Sequence, residues 1–518
     1  MKTYKVFFFL LSFLFLPNHV YPQYEESKGA DYSYLLPDGL GFSNHLEYSY
    51  DINKKLEIFE NWLNVDYRKG IFSTGIRFDL FQPNDPSPSV NRGKIRYADI
   101  GFKYLKAEIG NAEEGGEITV GNYYALFGRG MILKSYEDRN IRIDNNLLGV
   151  RLTGKYGGFI LNALTGMPEN ANVERKDILH AVDLEYRGIE NLKFGGTFAS
   201  NQPDDDNIAK TRMSSIRIEP RIWNFDFYGE YGIKQNADIK NFFKGEEPLA
   251  GRAFYGNLNF FYESFSVSSE YKYYDNFSFK TNDQTVDYNT PPSTKKEYTS
   301  VLLNRHPSPL NANNEKGFQV EANYNLSDET YFSMNYGETK TLSSNSLYQR
   351  INQTRLEERT QHREFYIQAN HSFIQNLHTT AAFGYNEELD ANTKNITPIL
   401  ENKFYLDETN TIRLILEHQQ TTVRNTNEQY YNDVIALEYL RSPKLNIMLL
   451  TEIETKEPTA GRKLRKVWSF IQVGYKIGEH TDISILAGSR QAGNICIGGV
   501  CRYEPEFSGI ELKMFTRF

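Results

Sequence analysis

The sequence is poor in cysteine and tryptophan. Its 518 residues include two cysteines, Cys496 and Cys501, and three tryptophans. Two cysteines allow a single bridge. Their C-x4-C spacing, without further ligands around it, does not make a zinc site.

Beyond the N-terminus, the sequence also lacks any apolar run of roughly 18 residues, the length that a membrane-spanning helix needs. The mean hydropathy is −0.57, which excludes a protein that crosses a membrane with helices. Charge of one sign is not concentrated either: 66 acidic and 58 basic residues give a net charge of −8. Dispersed negative charge argues against a nucleic-acid partner.

Signatures of enzymes are missing as well. The sequence has no G-x-S-x-G elbow, no H-E-x-x-H helix and no P-loop. His371 and His418 fall on predicted strands, but no serine partner can be assigned to them, and His306 has no second ligand at metal-binding spacing. We therefore predict no enzyme activity, no cofactor and no metal site.

What the sequence does have is aromatic residues and an export signal. Phe, Tyr and Trp make up 14% of the chain, with 36 Tyr and 35 Phe, and such a content suits strands with interfacial aromatic girdles. Residues 1–23 carry Lys2 and Lys5 ahead of a short apolar run, which is typical of a signal peptide. Residues 24–40 are predicted to be a periplasmic lead-in.

From residue 41 to 518 the chain repeats one pattern. Segments of about ten alternating residues are separated by short turns and longer polar loops in alternation, as in outer-membrane barrels. The count predicts a single all-β antiparallel transmembrane β-barrel of about 24 strands, with a range of 22 to 26. Short turns are predicted at 156–158, 188–191, 325–328, 407–410, 442–444 and 478–480. Longer loops are predicted at 83–93, 126–145, 167–177, 201–209, 234–249, 275–316, 339–361, 388–396, 420–428, 455–464 and 490–503.

Alternation assigns the two faces of the strands. A charge in the middle of a bilayer costs about 2–4 kcal/mol, so charged positions are predicted to face the lumen. Predicted lipid-facing positions include Ala98, Ile100, Phe102, Tyr104, Phe254, Gly256, Leu258, Phe260, Phe265, Val267, Tyr271, Phe318, Val320, Ala322 and Tyr324. Predicted lumen-facing positions include Asp99, Lys103, Arg151, Asp183, Glu185, Glu230, Glu270, Lys272, Glu321, Arg413, Glu417, Glu438, Glu511, Lys513 and Arg517.

The last stretch, 509–518, reads as the closing strand of such a barrel. Its apolar face includes Leu512, Met514 and the terminal Phe518, and it alternates with charged positions. We predict that these three residues form the signal read by the barrel-assembly machinery.

Three stretches give the chain a family resemblance. Gly121–Leu133 with Ser135–Arg139 and Ile143–Asn146, then Leu303–Pro307 ahead of Gly317–Gln319, and then Cys496–Arg502 resemble a large family of uncharacterised Bacteroidota-type outer-membrane proteins. The resemblance covers most of the mature chain. It implies the location and the fold, and it implies no activity.

Four loops carry candidate functions. The 126–145 loop is predicted either to constrict the lumen or to cap it, with its charges paired among themselves and with the wall. The 275–316 loop is long enough to be a lid, a partner-binding surface or a plug. The pair Cys496 and Cys501 is predicted to form a disulfide in the last outer loop, and Asp204–Asp206 is a solvated acidic tip or a calcium site. The candidate constriction residues are Arg129, Lys134, Glu137, Asp138, Arg139, Arg142 and Asp144.

So many strands enclose an aqueous lumen unless something fills it, so we expect a plug from the long loops, the N-terminal segment or a partner. The leading prediction is an outer-membrane channel or transport/secretion component. The alternatives are a non-conducting scaffold for other envelope proteins and, less favoured, an outer-membrane hydrolase. The expected partners are outer-membrane lipid, the barrel-assembly machinery and other envelope proteins.

Overall fold

The structure is a computed structural model. It describes residues 38–81, 98–111, 113–138, 141, 143–170, 174–204, 210–236, 249–305, 309–457, 465–497 and 500–518. The predicted signal peptide, the lead-in up to residue 37 and the predicted loop 83–93 lie outside these residues.

The described chain is almost entirely β-structure. Two short helices, α1 (Val301–Asn304) and α2 (Leu347–Ile351), lie in the connections. The strands are β1 (Leu40–Asp51), β2 (Leu56–Lys69), β3 (Phe72–Phe81), β4 (Ala98–Gly110), β5 (Gly115–Tyr123), β6 (Glu137–Asp138), β7 (Ile143–Asp144), β8 (Leu147–Tyr156), β9 (Phe159–Pro168), β10 (Ile178–Ile189), β11 (Leu192–Gln202), β12 (Thr211–Ile222), β13 (Phe225–Asn236), β14 (Leu249–Tyr262), β15 (Phe265–Asp275), β16 (Asn314–Ser327), β17 (Thr330–Lys340), β18 (Thr360–Ile374), β19 (Leu377–Glu388), β20 (Thr393–Tyr405), β21 (Asn410–Val423), β22 (Gln429–Arg441), β23 (Leu445–Glu454), β24 (Val467–Ile477), β25 (Thr481–Arg490), β26 (Gly493–Ile497), β27 (Val500–Glu504) and β28 (Phe507–Arg517).

Twenty-four of these strands form one closed antiparallel sheet, and the other four form the hairpins β6–β7 and β26–β27. Closure is made by the first and last strands, β1 and β28, which pair antiparallel from Ser43–Arg517 to Asp51–Gly509. At the end of this seam the backbones of Phe42 and Phe518 exchange hydrogen bonds of 3.1 and 2.9 Å. The predicted barrel of 24 antiparallel strands is confirmed.

The predicted alternation of tight turns and long loops is also observed among the described residues. Gly157, Asn191 and Gly478 have φ angles of 57°, 59° and 61°, the left-handed conformation that tight turns require. Two predictions were wrong. The stretch 388–396 is not a long loop, because β19 ends at Glu388 and β20 already begins at Thr393. The stretch 420–428 is shorter than predicted as well, because β21 continues to Val423 and only 424–428 connect it to β22.

The two faces of the sheet differ as alternation predicts. Outward positions such as Ile100, Ile216 and Ile435 keep 67%, 70% and 49% of their surface exposed. Inward acidic and basic side chains are buried, as at Glu230 and Lys272. Among the described residues, no helix is long and apolar enough to span a membrane.

Tyr104 departs from the predicted pattern. The β3–β4 register shifts between Gly75 and Ile76, where Tyr104 and Phe102 are the successive partners. An extra residue in one strand reverses the side on which later side chains point. The Tyr104 hydroxyl donates a hydrogen bond of 2.8 Å to Asp66, and Leu105 is exposed instead.

The seam between β1 and β28 gives a first testable prediction. A Cβ atom on Gly509 would lie 1.8 Å from the carbonyl oxygen of Tyr50, so Gly509→Ala must push these strands apart. We expect Gly509→Ala to lower the temperature at which the barrel loses its compact mobility in detergent gels. Gly154→Ala in β8 is the matched control, because nothing lies within 4 Å of its Cβ position. Equal melting of the two variants would contradict a closed seam.

Candidate functional site in the barrel lumen

The connection between β5 and β8, which we call the inner loop (residues 124–146, described except for 139, 140 and 142), folds into the lumen. Leu126 pairs with Lys134 in a β-bridge, and the turn between them uses Gly128 and Gly130, with φ angles of 54° and 83°. Its apolar side chains Met131, Ile132 and Leu133 have no exposed surface. The inner loop therefore has a hydrophobic core of its own against the wall.

That core joins three parts of the chain. Wall residues of β5 and β8–β15, the inner loop and the loop after β15 contribute to one buried cluster. Burial of apolar surface is the main stabilising term in folding, so this cluster fixes the inner loop and the start of the loop after β15 against the wall. The cluster consists of Tyr123, Ala125, Phe127, Met131, Ile132, Leu133, Leu147, Leu164, Leu179, Ala181, Ala199, Met213, Tyr228, Ala253, Tyr255, Tyr274, Phe277, Phe279 and Tyr288.

Two of the three carboxylates in the predicted constriction, those of Glu137 and Asp144, lie against the wall. Arg77 of β3 lies 2.8 Å from Glu137 and 3.5 Å from Asp144. Asp138 pairs through its backbone with Ile143 in the β6–β7 hairpin. Arg77 thus offsets part of the negative charge of Glu137 and Asp144, and the choice between a constriction and a cap stays a prediction.

The cations of the same loop differ from one another. Arg129 lies over the ring of Tyr228, 4.1 Å from its centroid, and donates a hydrogen bond of 3.3 Å to the Tyr255 hydroxyl. The Lys134 ammonium lies 4.8 Å from the ring centroid of Tyr136. Burial lowers the pKa of Lys134, and attraction to Asp138 opposes this shift. Arg129 is exposed, so a role in constriction stays a prediction for it.

Arg139 and Arg142 lie outside the described residues, as do Asp205, Asp206 and His306 of the other candidate sites. In the part of the chain that the structure describes, no group of three or more His, Cys, Asp or Glu side chains could hold a metal ion.

The predicted disulfide also stays a prediction. The register of the β26–β27 hairpin places Cys496 opposite Cys501, but the side chains of both lie outside the described part of the structure.

The connection between β15 and β16, which we call the strap (residues 276–313, described except for 306–308), crosses the lumen. In its first half, the Tyr288 hydroxyl donates to Asn201 of β11 at 2.9 Å. In its second half, the Arg305 guanidinium donates to the Glu452 carboxylate of β23 through its two terminal nitrogens, Nη1 and Nη2, and the Nη2 contact measures 2.6 Å. Strands β11 and β23 are twelve positions apart in the ring of 24, so the strap reaches opposite sides of the barrel.

Helix α1 in the strap is held by one wall carboxylate. Glu417 of β21 accepts hydrogen bonds from the backbone N–H groups of Val301 (3.0 Å) and Leu302 (2.9 Å) and from the Ser300 hydroxyl (2.7 Å). Ser300 is also the N-cap of α1. A buried carboxylate with three donors is a strong anchor, because charge-assisted hydrogen bonds are about twice as strong as neutral ones.

A third connection, between β17 and β18, packs against the end of β15. Its helix α2 presents the N–H groups of Leu347 and Tyr348 to Asp275 of β15, at 3.0 and 2.8 Å. Asp275 itself has no exposed surface.

Sequence reasoning placed Glu417 in the lumen but did not find its partners. The contacts of Glu417 with the strap join residues more than 110 positions apart. A weak local signal existed, since Ser300 before an apolar run is a typical helix N-cap.

The Arg77 contacts give a second testable prediction. Arg77 also lies 3.5 Å from Asp79. Arg77→Met leaves Glu137, Asp144 and Asp79 next to a neutral side chain, and we expect a loss of about 3–5 kcal/mol in the free energy of unfolding. Denaturant titration of the detergent-solubilised barrel measures this loss. Arg221→Met is the control, because Arg221 pairs with Asp226 at an exposed turn, where solvent screening leaves an ion pair little effect on stability. Losses of equal size would contradict the role of Arg77 as an internal anchor.

Comparisons with known proteins cover nearly the whole barrel. The sequence model of one family, described as "Family of unknown function (DUF6029)", matches residues 40–518, from the start of β1 to the C-terminus. The expectation of an uncharacterised family is thus confirmed. No curated protein matches the sequence.

Several solved structures are similar to the chain. The P pilus usher (PapC) translocation pore has a TM-score of 0.43 and 10% identity, with 92% of this chain and 99% of that chain covered. The siderophore receptor PirA from Pseudomonas aeruginosa has a TM-score of 0.43 and 10% identity, with 93% and 80% covered. OccK8 (OprE) from Pseudomonas aeruginosa has a TM-score of 0.39 and 12% identity, with 67% and 94% covered.

Proposed function

We propose that this chain, which belongs to the family of unknown function DUF6029, is an outer-membrane barrel that passes a solute or a polypeptide through a lumen gated by its own loops. The observation that carries the proposal is the strap, which is bound to opposite sides of the wall by Tyr288 and Arg305. A closed ring with a built-in obstruction is the arrangement that a gated channel needs.

The exposed apolar belt supports placement in a membrane. Large apolar side chains cover the outward face of the strands, including Ile216, Leu437 and Ile510. In water such a surface, far larger than a few hundred Å², would cause aggregation. Closure of the sheet satisfies the backbone hydrogen bonds, which a lipid environment demands.

The width of the ring supports transport. Barrels of 16 to 18 strands already enclose an aqueous channel, and 22-stranded outer-membrane transporters carry a plug in their lumen. A ring of 24 strands therefore has room for a passage once the strap moves. The charged lumen wall would then select solutes by size and charge.

Single-channel recording in planar bilayers tests this function. We expect the purified full-length barrel to show rare, small conductance steps, because the strap obstructs the lumen. If the barrel never conducts, even after residues 294–310 of the strap have been removed, a pore is excluded.

A non-conducting scaffold is the second candidate, and the fully buried cluster around Met131 and Phe277 favours it, because a packed core of this kind does not open easily. A stoichiometric envelope protein that co-purifies in detergent would favour the scaffold, and a lone barrel would favour the channel. For the hydrolase alternative, His418 lies 2.7 Å from Asp433, and an assay of lipid or peptide turnover tests it.

A further inference from the structure

We propose that the lumen wall formed by β16–β23 is a binding site for a polypeptide segment with one helical turn, and that the strap segment 295–305, which contains α1, occupies it as an internal ligand. The inference rests on the proposed function and gives it a class of cargo. It is drawn from how the wall recognises this segment.

The wall first recognises the backbone of the segment. Glu417 accepts from the N–H groups of Val301 and Leu302, and the Gln419 side chain donates to the Leu302 carbonyl oxygen at 3.2 Å. Glu364 of β18 accepts from the N–H of Lys296 at 3.1 Å. Acceptors for N–H groups and a donor for a carbonyl are what any polypeptide backbone requires, whatever its sequence.

The wall also provides two apolar pockets for consecutive side chains. Leu302 packs with Val434, Ala436 and Leu450 of β22 and β23. Leu303 packs on the other side with Tyr366 and Ala382 of β18 and β19.

The second pocket has space because of a glycine. A Cβ atom on Gly384 would lie 2.5 Å from a methyl group of Leu303. The absence of a side chain at this position is therefore part of the fit between the wall and the segment.

We call the part of the wall that contacts residues 295–305 the track. Carboxylates lie at both of its ends. Glu321 of β16 lies 2.5 Å from the ammonium of Lys296, and Glu452 binds the guanidinium of Arg305. Glu364 accepts a further hydrogen bond of 3.1 Å from the Tyr298 hydroxyl. The wall thus favours a segment with basic residues on either side of aliphatic ones.

The two halves of the strap are held by different forces. The first half contributes Phe277, Phe279 and Tyr288 to the large buried cluster. The second half is held mainly by four wall glutamates, and hydrogen bonds and ion pairs can be exchanged for those of another peptide. We infer that the second half is the part that cargo displaces.

Competition explains how binding would open the lumen. A tethered segment acts at an effective concentration of roughly millimolar, so a free peptide binds weakly until the tethered one is loosened. A cargo that binds the track only when the strap has left it shifts the equilibrium toward the open state.

A peptide-binding experiment tests the inference. The probe is a fluorescent peptide with the sequence of residues 295–305, KKEYTSVLLNR, titrated onto the full chain in detergent. We expect at least tenfold tighter binding to the double variant Leu302→Ala with Arg305→Ala than to the unmodified protein, because the weakened strap competes less well. A peptide with both leucines changed to aspartate should not bind.

Two controls separate folding from recognition. The compact mobility of the double variant in detergent gels reports whether it folds. If it does not, a protease site inserted after the exposed residue Pro309 loosens the strap after folding, and the same gain in binding is expected.

Peptide binding that is absent from the folded, loosened barrel, or equal for the aspartate peptide, would overturn the inference. Conductance is measured independently, so a barrel that conducts without binding peptide would leave the proposed channel function standing.

Discussion

Replacing strap residues 294–310 with a four-residue glycine–serine linker is expected to raise the single-channel conductance by about tenfold or more. The replaced segment carries α1, all of its contacts with Glu417 and the ion pair with Glu452. The residues on either side of the replaced segment stay close together. The Tyr274 hydroxyl donates a hydrogen bond to the Pro292 carbonyl oxygen, and the Phe277 N–H donates one to the Ala312 carbonyl oxygen. Of the hydrophobic cluster shared with the inner loop, the replacement removes only the partly buried Leu310, so the barrel should still fold.

The matched control is a linker of the same kind placed in the β21–β22 connection at residues 424–428, which forms no part of the strap. That variant should conduct like the unmodified barrel. A strap variant that is folded and conducts no better than this control would show that the strap does not obstruct the lumen, and would favour the scaffold.

Glu417→Ala is expected to have the second-largest effect. The substitution leaves the N–H groups of Val301 and Leu302 and the Ser300 hydroxyl without their acceptor in a buried place. Each buried group left unsatisfied costs about 1–3 kcal/mol, so we expect the strap to be destabilised by several kcal/mol. Bilayer recordings should show a large increase in the frequency of openings, with the same maximal conductance as the strap-replaced variant.

Two further variants make this result specific. Glu417→Gln keeps one acceptor oxygen and should lie between the alanine variant and the unmodified protein. Glu438→Gln removes a charge from the same wall at a place where the partners are Arg413 and Asn446, and it should leave the opening frequency unchanged. An identical increase for Glu438→Gln would mean that wall charge in general, and not the anchor of α1, controls opening.

The barrel itself was predictable because the two faces of a strand follow from the alternation of its own residues. Side chains two residues apart share a face, and a bilayer on one side and water on the other force a period of two. The stretch 509–518 shows this pattern within ten residues, and β28 indeed closes the ring against β1. Tyr104 was misassigned because a single register shift reverses the period without leaving any mark in composition.

The interior of the lumen was predictable only in outline. Alternation placed Glu417 and Glu230 on the inner face, and the length of the 275–316 loop suggested a plug. Which side chain meets which could not be read from the chain, because Arg305 and Glu452 are separated by 147 residues. Contacts between residues so far apart in the sequence depend on the position of each strand in the closed ring.

The sequence by itself determined the approximate strand number, the sites of the tight turns and, except at the register shift beside Tyr104, the two faces, because each follows from the order of neighbouring residues. Only the tertiary structure decided that the strap crosses the lumen and that glutamates of the wall hold it. The physical reason is that a loop has no period of its own: its path is set by the partners that satisfy its buried backbone groups, and those partners come from the far side of the barrel.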